Sequence, residues 1–290
     1  MLGDMDIREL RMEDYEHEGI GSLREIPQPP ERLWMRGTLP ETGTRRLAVV
    51  GSRALSPYGE AACRYLIGGL SGHPVSIVSG LALGTDACAH RAALEAGLHT
   101  VAVPGSGLAD RTIAPRTNYA LSMHILAAGG ALLSEHPPHE TARPHYFPSR
   151  NRIMVGLADA VLVIEAASKS GTLITARLAS EYNRDLMCIP HRIIDEHGYG
   201  NHLFVRLGAE LVTEPEHILE ALRIRAEPAQ ESLPLLSDAE ERIYEALAIP
   251  LPRSELIRRS GLLPDEALVA LLALELKGLA MESYGAWRRA

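Results

Sequence analysis

FPSRNRIMVGLADAVLVIEAASKSGTLITA, residues 147–176, changes character three times. Ala160 to Ile164 is a short, uninterrupted apolar run bounded by small and polar residues. A strand buried on both faces of a parallel sheet reads this way. Glu165 and then Ser168-Lys169-Ser170-Gly171-Thr172 follow as a small, hydroxyl-rich turn. From Leu173 to Tyr182 the apolar residues fall at helical spacing. A strand, a small-residue turn and a helix start in succession aim backbone N–H groups and a positive dipole end above the sheet. Arg150-Asn151-Arg152 stands before the strand and brings two guanidinium groups to the same rim. Two cationic elements bracket one strand, so an anion is expected there.

Strand and helix patterns alternate outward from this stretch. Apolar runs at Leu47–Val50, Val75–Val78, Thr100–Val103, Ala131–Leu133 and Leu186–Ile189 each end in a Gly, Ser or Pro turn. Helical spacing fills Pro57–Leu70, Thr85–Ala96, Asn118–Ala128 and Arg150–Leu157. The expected fold is α/β, an open, Rossmann-like doubly wound parallel sheet over residues 45–225. Ligands of such sheets sit beyond the carboxyl ends of the strands, where these turns collect. Residues 1–44 read as a lead-in strap whose Pro-rich part, Ile26–Trp34, lies over the main domain. Residues 226–236 read as a polar linker. In 237–290 a capping box at Ser237 and Glu240, a helix over Arg253–Ser260, a third over Pro264–Lys277 and a closing hairpin predict a winged helix-turn-helix.

The totals bound the partners. The 290 residues carry a net charge of −8, but residues 1–44 alone hold −5 of it and residues 45–225 are close to neutral at +1. No strongly basic footprint exists, so a polyanion has to be held by a local pocket. Of 29 cationic residues only Lys169 and Lys277 are lysines; arginine suits planar, bidentate phosphate contacts. No apolar run approaches a membrane span, and the acidic start does not read as a secretory or transit leader. Cys63, Cys88 and Cys188 lie far apart without CxxC spacing, as buried thiols of a cytoplasmic protein do.

Gly51-Ser52-Arg53 ends the first strand; it is not a GxGxxG fingerprint but offers close approach and one charge to a phosphate. Lys169, Ser170, Gly171 and Thr172 form the strongest anion candidate, since one of only two lysines stands at a strand's end between serines. Asp86 and His90 at i, i+4 read as a helix cap with a structural histidine rather than a catalytic pair. Glu165 either holds a sugar hydroxyl or caps the following turn. His136, His139 and His145 lack metal-ligand spacing. In the winged helix, Asp265 and Glu266 open the third helix and would repel phosphate, so protein docking is expected in place of duplex reading. No catalytic residue, metal or cofactor is expected.

Ser79-Gly-Leu-Ala-Leu-Gly-Thr-Asp86 with Ala89-His90, Phe147-Pro-Ser-Arg-Asn-Arg-Ile153 with Gly156-Leu157, and Glu165-Ala166 with Ser170-Gly-Thr-Leu-Ile-Thr-Ala176 together resemble the ordered blocks of the bacterial DNA-processing protein A (Smf) family. The resemblance covers about 45–222. It implies a non-enzymatic, dimeric single-stranded DNA binder that shields incoming strands and loads the RecA recombinase in natural transformation. By motif position it puts DNA contacts on Gly51, Ser52, Arg53, Gly80, Asn118, Arg150, Asn151, Arg152, Lys169, Ser170, Gly171 and Thr172. In the resulting clamp Arg53 and Lys169 hold successive phosphates, with Arg150 and Arg152 extending the track. The chain departs from the family pattern at Ala114, where Tyr is usual, at Thr85 for Ile, and at His191 for Gly. A rival resemblance, to nucleoside-monophosphate phosphoribohydrolases of the lysine-decarboxylase-like family, requires a catalytic Glu where this chain has Thr175.

Overall fold

A computed structural model describes residues 7–168, 171–224, 236–247, 249–277, 279–283 and 286–289. They fall into two compact units, 1–226 and 227–290. Unit 1 is built on a nine-stranded sheet. Its strands are β1 (Arg8–Arg11), β2 (Arg32–Gly37), β3 (Arg45–Val50), β4 (Val75–Ser79), β5 (His99–Ala102), β6 (Ala131–Ser134), β7 (Ala160–Val163), β8 (Asp185–Cys188) and β9 (Glu210–Leu211). They lie in the order β1-β2-β6-β5-β4-β3-β7-β8-β9, parallel from β6 to β9.

The helices of unit 1 are α1 (Pro57–Gly68), α2 (Thr85–Glu95), α3 (Tyr119–Ala127), α4 (Tyr146–Leu157), α5 (Thr172–Glu181), α6 (Tyr199–Arg206) and α7 (Pro215–Ala221). Alternation along β3 shows how the sheet is covered. Leu47 and Val49 enter a core with Leu66 and Ile67 of α1, Ala92 of α2 and Ile218 of α7. Ala48 and Val50 face the opposite core, with Ile153 of α4, Ala176 of α5 and Phe204 of α6. Both faces are covered, as the uniformly apolar strands require. Cys63, Cys88 and Cys188 are free thiols inside these cores. No helix among the described residues is long and apolar enough to cross a membrane.

Residues 1–44 differ from the expected strap. β2 pairs antiparallel with β6, Trp34 opposite Ser134, and β1 pairs antiparallel with β2. Leu33 and Met35 point into the core with no exposure at all. The two-residue period was hidden in the sequence by Arg36, which is 1% exposed and bonded to Asp110 at 2.6 Å. A paired arginine on a buried strand position looks like a surface residue until its carboxylate is located.

Unit 2 contains α8 (Asp238–Ala246), α9 (Arg253–Ser260), α10 (Pro264–Leu276) and the hairpin β10 (Ala280–Ser283) and β11 (Ala286–Arg289). Ser237 and Glu240 form a reciprocal capping box, and Gly261 ends α9 in the left-handed region at φ 67°. Ile243, Leu256, Leu271, Leu274 and Trp287 form its core. Leu251 bridges to Trp287 beside the hairpin.

If β2 is integral to the sheet, Met35→Ala costs about 2–5 kcal/mol, as buried Met truncations do. Urea unfolding of the whole chain measures this; a peripheral strap predicts a change below about 0.5 kcal/mol.

Candidate functional site

The strand order turns back between β3 and β7: β4, β5 and β6 lie on one side of this pair, β8 and β9 on the other. At such a switch point the loops after the two strands diverge and leave a crevice. Here it is a cleft of about 870 Å³. Gly51, Ser52 and Arg53 line it after β3, Ser168, Gly171 and Thr172 after β7, and Phe147, Arg150 and Asn151 from α4. Its lining also includes Pro144, Pro148, Met154 and Ile174, so apolar side chains stand among the polar ones.

A buried network builds the floor. The Asp86 carboxylate accepts from the backbone N–H groups of Gly80 at 3.1 Å and Ala82 at 3.2 Å. It also accepts from Arg150 Nη2 at 3.2 Å, both side chains being almost entirely buried. Arg150 further donates to the Val103 carbonyl, and its Nε donates to Asn151 Oδ1 at 3.0 Å. Asn151 Nδ2 in turn donates to Thr175 Oγ1 at 2.9 Å. Burial pulls the Arg150 pKa below its ordinary value, and the charge of Asp86 opposes that shift. Gly80 lies flat against the guanidinium, leaving no space for a Cβ. Gly80 is therefore a packing requirement of Arg150.

Three sequence expectations change here. α4 begins at Tyr146, four residues before the expected start, so Arg150 and Arg152 sit in its interior and not at its dipole end. Arg150 is a strut under the cleft, committed to Asp86 and Val103. Arg152 does not line the cleft and is ion-paired with Glu135, so it would extend a phosphate track only by exchanging that partner. Asn118 also leaves the cleft lining. It is buried, and its amide donates to the carbonyls of Leu81 at 2.8 Å and Ala82 at 3.1 Å. With Asp86 it fixes the 80–86 loop, in which Leu81 adopts φ 60°. Lys169 and Ser170 lie outside the described residues.

The rim is different in character. The Ser52 carbonyl accepts from Thr85 N at 3.0 Å and Thr85 Oγ1 at 3.1 Å, latching the 51–54 loop to the start of α2. The Thr85 hydroxyl thus supplies a bond that Ile would lack. Ser52 Oγ accepts from Ala54 N at 3.1 Å. Arg53 is exposed, and among the described residues no carboxylate pairs with it. Its guanidinium stands 5.1 Å from the centre of the Phe147 ring. Phe147 belongs to the motif that carries the family resemblance, but only the placement of α4, which brings its ring centre 5.1 Å from the Arg53 guanidinium, marks it as a site residue.

The remaining polar groups are structural. His90 is completely buried, with Nδ1 2.8 Å from Thr100 Oγ1, whose own proton goes to the Ile77 carbonyl. Burial, with the nearby Arg150 charge, pushes its pKa down to about 3. Glu165 is also fully buried; it accepts from Ser56 N at 3.2 Å and from Ser56 Oγ, and lies 3.3 Å from His197 Nδ1. That resolves the open choice toward a turn and helix anchor, since Ser56 caps α1. His191 uses the place where Gly was expected to bond the Ile164 carbonyl at 2.9 Å. His136 stacks on Tyr146 with ring centres 3.6 Å apart.

A doubly wound α/β unit with an open crevice at its switch point, in a chain that also carries a winged helix, defines the class. Residues 10–223 match the family described as DNA recombination-mediator protein A, and residues 227–285 match the DprA winged helix domain. The chain belongs to the DNA recombination-mediator protein A family. It is 40% identical to Protein Smf of Escherichia coli, covering 86% of this chain and 69% of that protein. It is 42% identical to the DNA processing protein DprA of Streptococcus pneumoniae over 68% of each. The solved Streptococcus pneumoniae structure superposes with a TM-score of 0.67 at 37% identity, covering 74% of each chain. The DNA processing protein A of Helicobacter pylori, solved to describe its single-stranded DNA binding mode, gives 0.61 at 27% identity, over 70% of this chain and 91% of that one.

The floor and rim respond differently to substitution. Asp86→Ala strands a buried guanidinium and two backbone donors and costs about 3–5 kcal/mol. Arg53→Ala stays within about 0.5 kcal/mol of the unsubstituted chain. Denaturant titrations distinguish the two. His90 binds a proton near pH 6.5 when unfolded but only near 3 when folded, so its stabilisation is complete above about 6.5 and declines as pH falls. The slope is at most about 1.4 kcal/mol per pH unit. A His90→Asn chain is expected to lack that share of the acid sensitivity.

Proposed function

We propose that the cleft between β3 and β7 binds single-stranded DNA without chemistry on it. One observation carries the reading: Arg53 is an exposed arginine with no carboxylate pairing it among the described residues, held over an aromatic ring at the mouth of a crevice with an apolar wall. A phosphate beside that guanidinium places the attached base against Phe147, combining the charge contact and the stacking surface that single strands require. Gly51 and Ser52 let the backbone approach, and the start of α5 at Gly171 and Thr172 offers N–H groups to the next phosphate. Lys169 and Ser170, directly before Gly171 in sequence, complete the proposed clamp. Gly80, Arg150, Asn151 and Asn118 serve it by positioning.

Family kinship supports the further steps: shielding incoming strands and passing them to the RecA recombinase in natural transformation, within the cytoplasm. The proposed division keeps DNA binding in residues 45–225, with 226–236 as linker to the winged helix. Self-association is proposed through an apolar surface on and just past α6. Tyr199, Leu203 and Leu207 recur every four residues there, next to the exposed Ile193 and Ile194. The phosphoribohydrolase reading loses support at Thr175, which is buried and bonded to Asn151 where a catalytic carboxylate would be required.

Fluorescence anisotropy with labelled oligo-dT at several salt concentrations, with duplex as competitor, tests the clamp. Arg53→Ala is expected to weaken binding and reduce the log–log salt slope by about 0.7, the value of one lost phosphate contact on a single strand. Phe147→Ala is expected to cost about 1–3 kcal/mol with the slope unchanged. Equal slopes in the Arg53 variant and the unsubstituted chain would reject the proposal.

A further inference from the structure

α10 is apolar around nearly its whole circumference. Ala267, Ala270, Leu271 and Leu274 face the core of unit 2. On the opposite side Leu268, Val269, Leu272 and Leu276 are 40%, 71%, 57% and 82% exposed. A helix that is hydrophobic all round belongs in an interior, and an exposed stripe of this kind marks an interaction surface. The stripe borders a groove of about 660 Å³ between α8 and α10, lined by Ala239, Val269, Ala270 and Ala273 and by Glu240, whose charge is balanced by Lys277 at 2.6 Å. Asp265 and Glu266 stand at its mouth, exposed, and no cation among the described residues pairs with either.

We propose that this groove receives a short amphipathic helix of another protein, apolar on one side and flanked by arginine or lysine. The inference rests on reading the winged helix as a protein-docking unit and adds the chemistry of its partner. The alanines of the lining permit close approach of a helix axis, and the α10 stripe supplies the side-chain ridge for it. The two free carboxylates select the sign of the flank.

Charge disfavours the nearer occupants. The chain's own residues 1–6 carry Asp4 and Asp6, and 226–236 carry Glu227 and Glu231, so both would meet Asp265 and Glu266 with like charge. An antiparallel pairing of two α10 helices would set these carboxylates against both Glu275 and Lys277 of the second copy, a weaker complement than a uniformly basic flank. A nucleic acid strand is repelled by the same groups. What remains complementary is a basic, apolar-striped helix.

The test uses the full-length chain and three fluorescein-labelled synthetic helical peptides. They share one Leu/Ala stripe and carry Arg, Gln or Glu on the flanks. The Arg peptide is expected to bind, with the Glu peptide weaker by about tenfold or more. Val269→Asp and Leu272→Asp, both at exposed positions, each reduce Arg-peptide binding by about tenfold while thermal unfolding and oligo-dT binding stay unchanged. Asp265→Lys with Glu266→Lys is expected to reverse the order of the Arg and Glu peptides. Equal affinity for all three peptides, or Arg-peptide binding indifferent to Leu272→Asp, overturns the proposal. So does a change of oligomeric state in the Leu272→Asp chain by analytical ultracentrifugation, which assigns the stripe to a second copy and leaves the docking reading of the unit standing. Loss of duplex-DNA binding in that variant overturns both.

Discussion

The buried pair of Asp86 and Arg150 is the constraint that the cleft depends on. It joins three pieces of chain distant in sequence: the loop after β4, the end of β5 through the Val103 carbonyl, and the interior of α4. Such a pair gains little net stability over apolar residues of the same size, because both charges leave water. Its consequence here is placement. With Arg150 fixed, Gly80 has to be glycine, Asn151 is oriented toward Thr175, and α4 is held so that Phe147 faces the 51–54 loop.

That arrangement separates two roles which arginine plays in one sequence. Arg36, Arg150 and Arg152 are each matched by a carboxylate, Asp110, Asp86 and Glu135. Each of these charges is balanced by a neighbouring carboxylate, which weakens the field it presents to a polyanion. Arg53 has no such partner among the described residues and stands at the mouth of the crevice. A chain with net charge −8 thus presents cationic character to a ligand only where a guanidinium is left over. Counting arginines near a rim overstates the field; the count that matters is taken after each carboxylate has been assigned.

This explains what the sequence could and could not disclose. The run at Ala160–Ile164 and the alternation of apolar strands with helical spacing were enough for the doubly wound sheet, because burial on two faces leaves an unambiguous composition. The capping box at Ser237 and Glu240 was legible for the same local reason. β2 was not, since its buried Arg36 needs Asp110, seventy-four positions away, to make sense. That Arg152 and Asn118 lie off the cleft lining was not legible either, because a motif reports which residues recur together, not which way each side chain turns. Phe147 was overlooked because its meaning lies in the distance to Arg53, and α4 sets that distance.

A cleft with few uncompensated charges must hold a strand by other means. Each free cation near a phosphate contributes through counterion release, so the proposed clamp, whose exposed arginine without a carboxylate partner among the described cleft residues is Arg53, would show modest salt dependence. The apolar wall of Pro144, Phe147, Pro148, Met154 and Ile174 then carries a larger share of the affinity. Stacking on such a wall tolerates any base, because every base has a π-face. Low charge and an apolar wall are therefore compatible with sequence-independent binding. In the proposed binding mode they would also favour release, since a strand held mainly by stacking leaves without a dense cationic track having to be neutralised first.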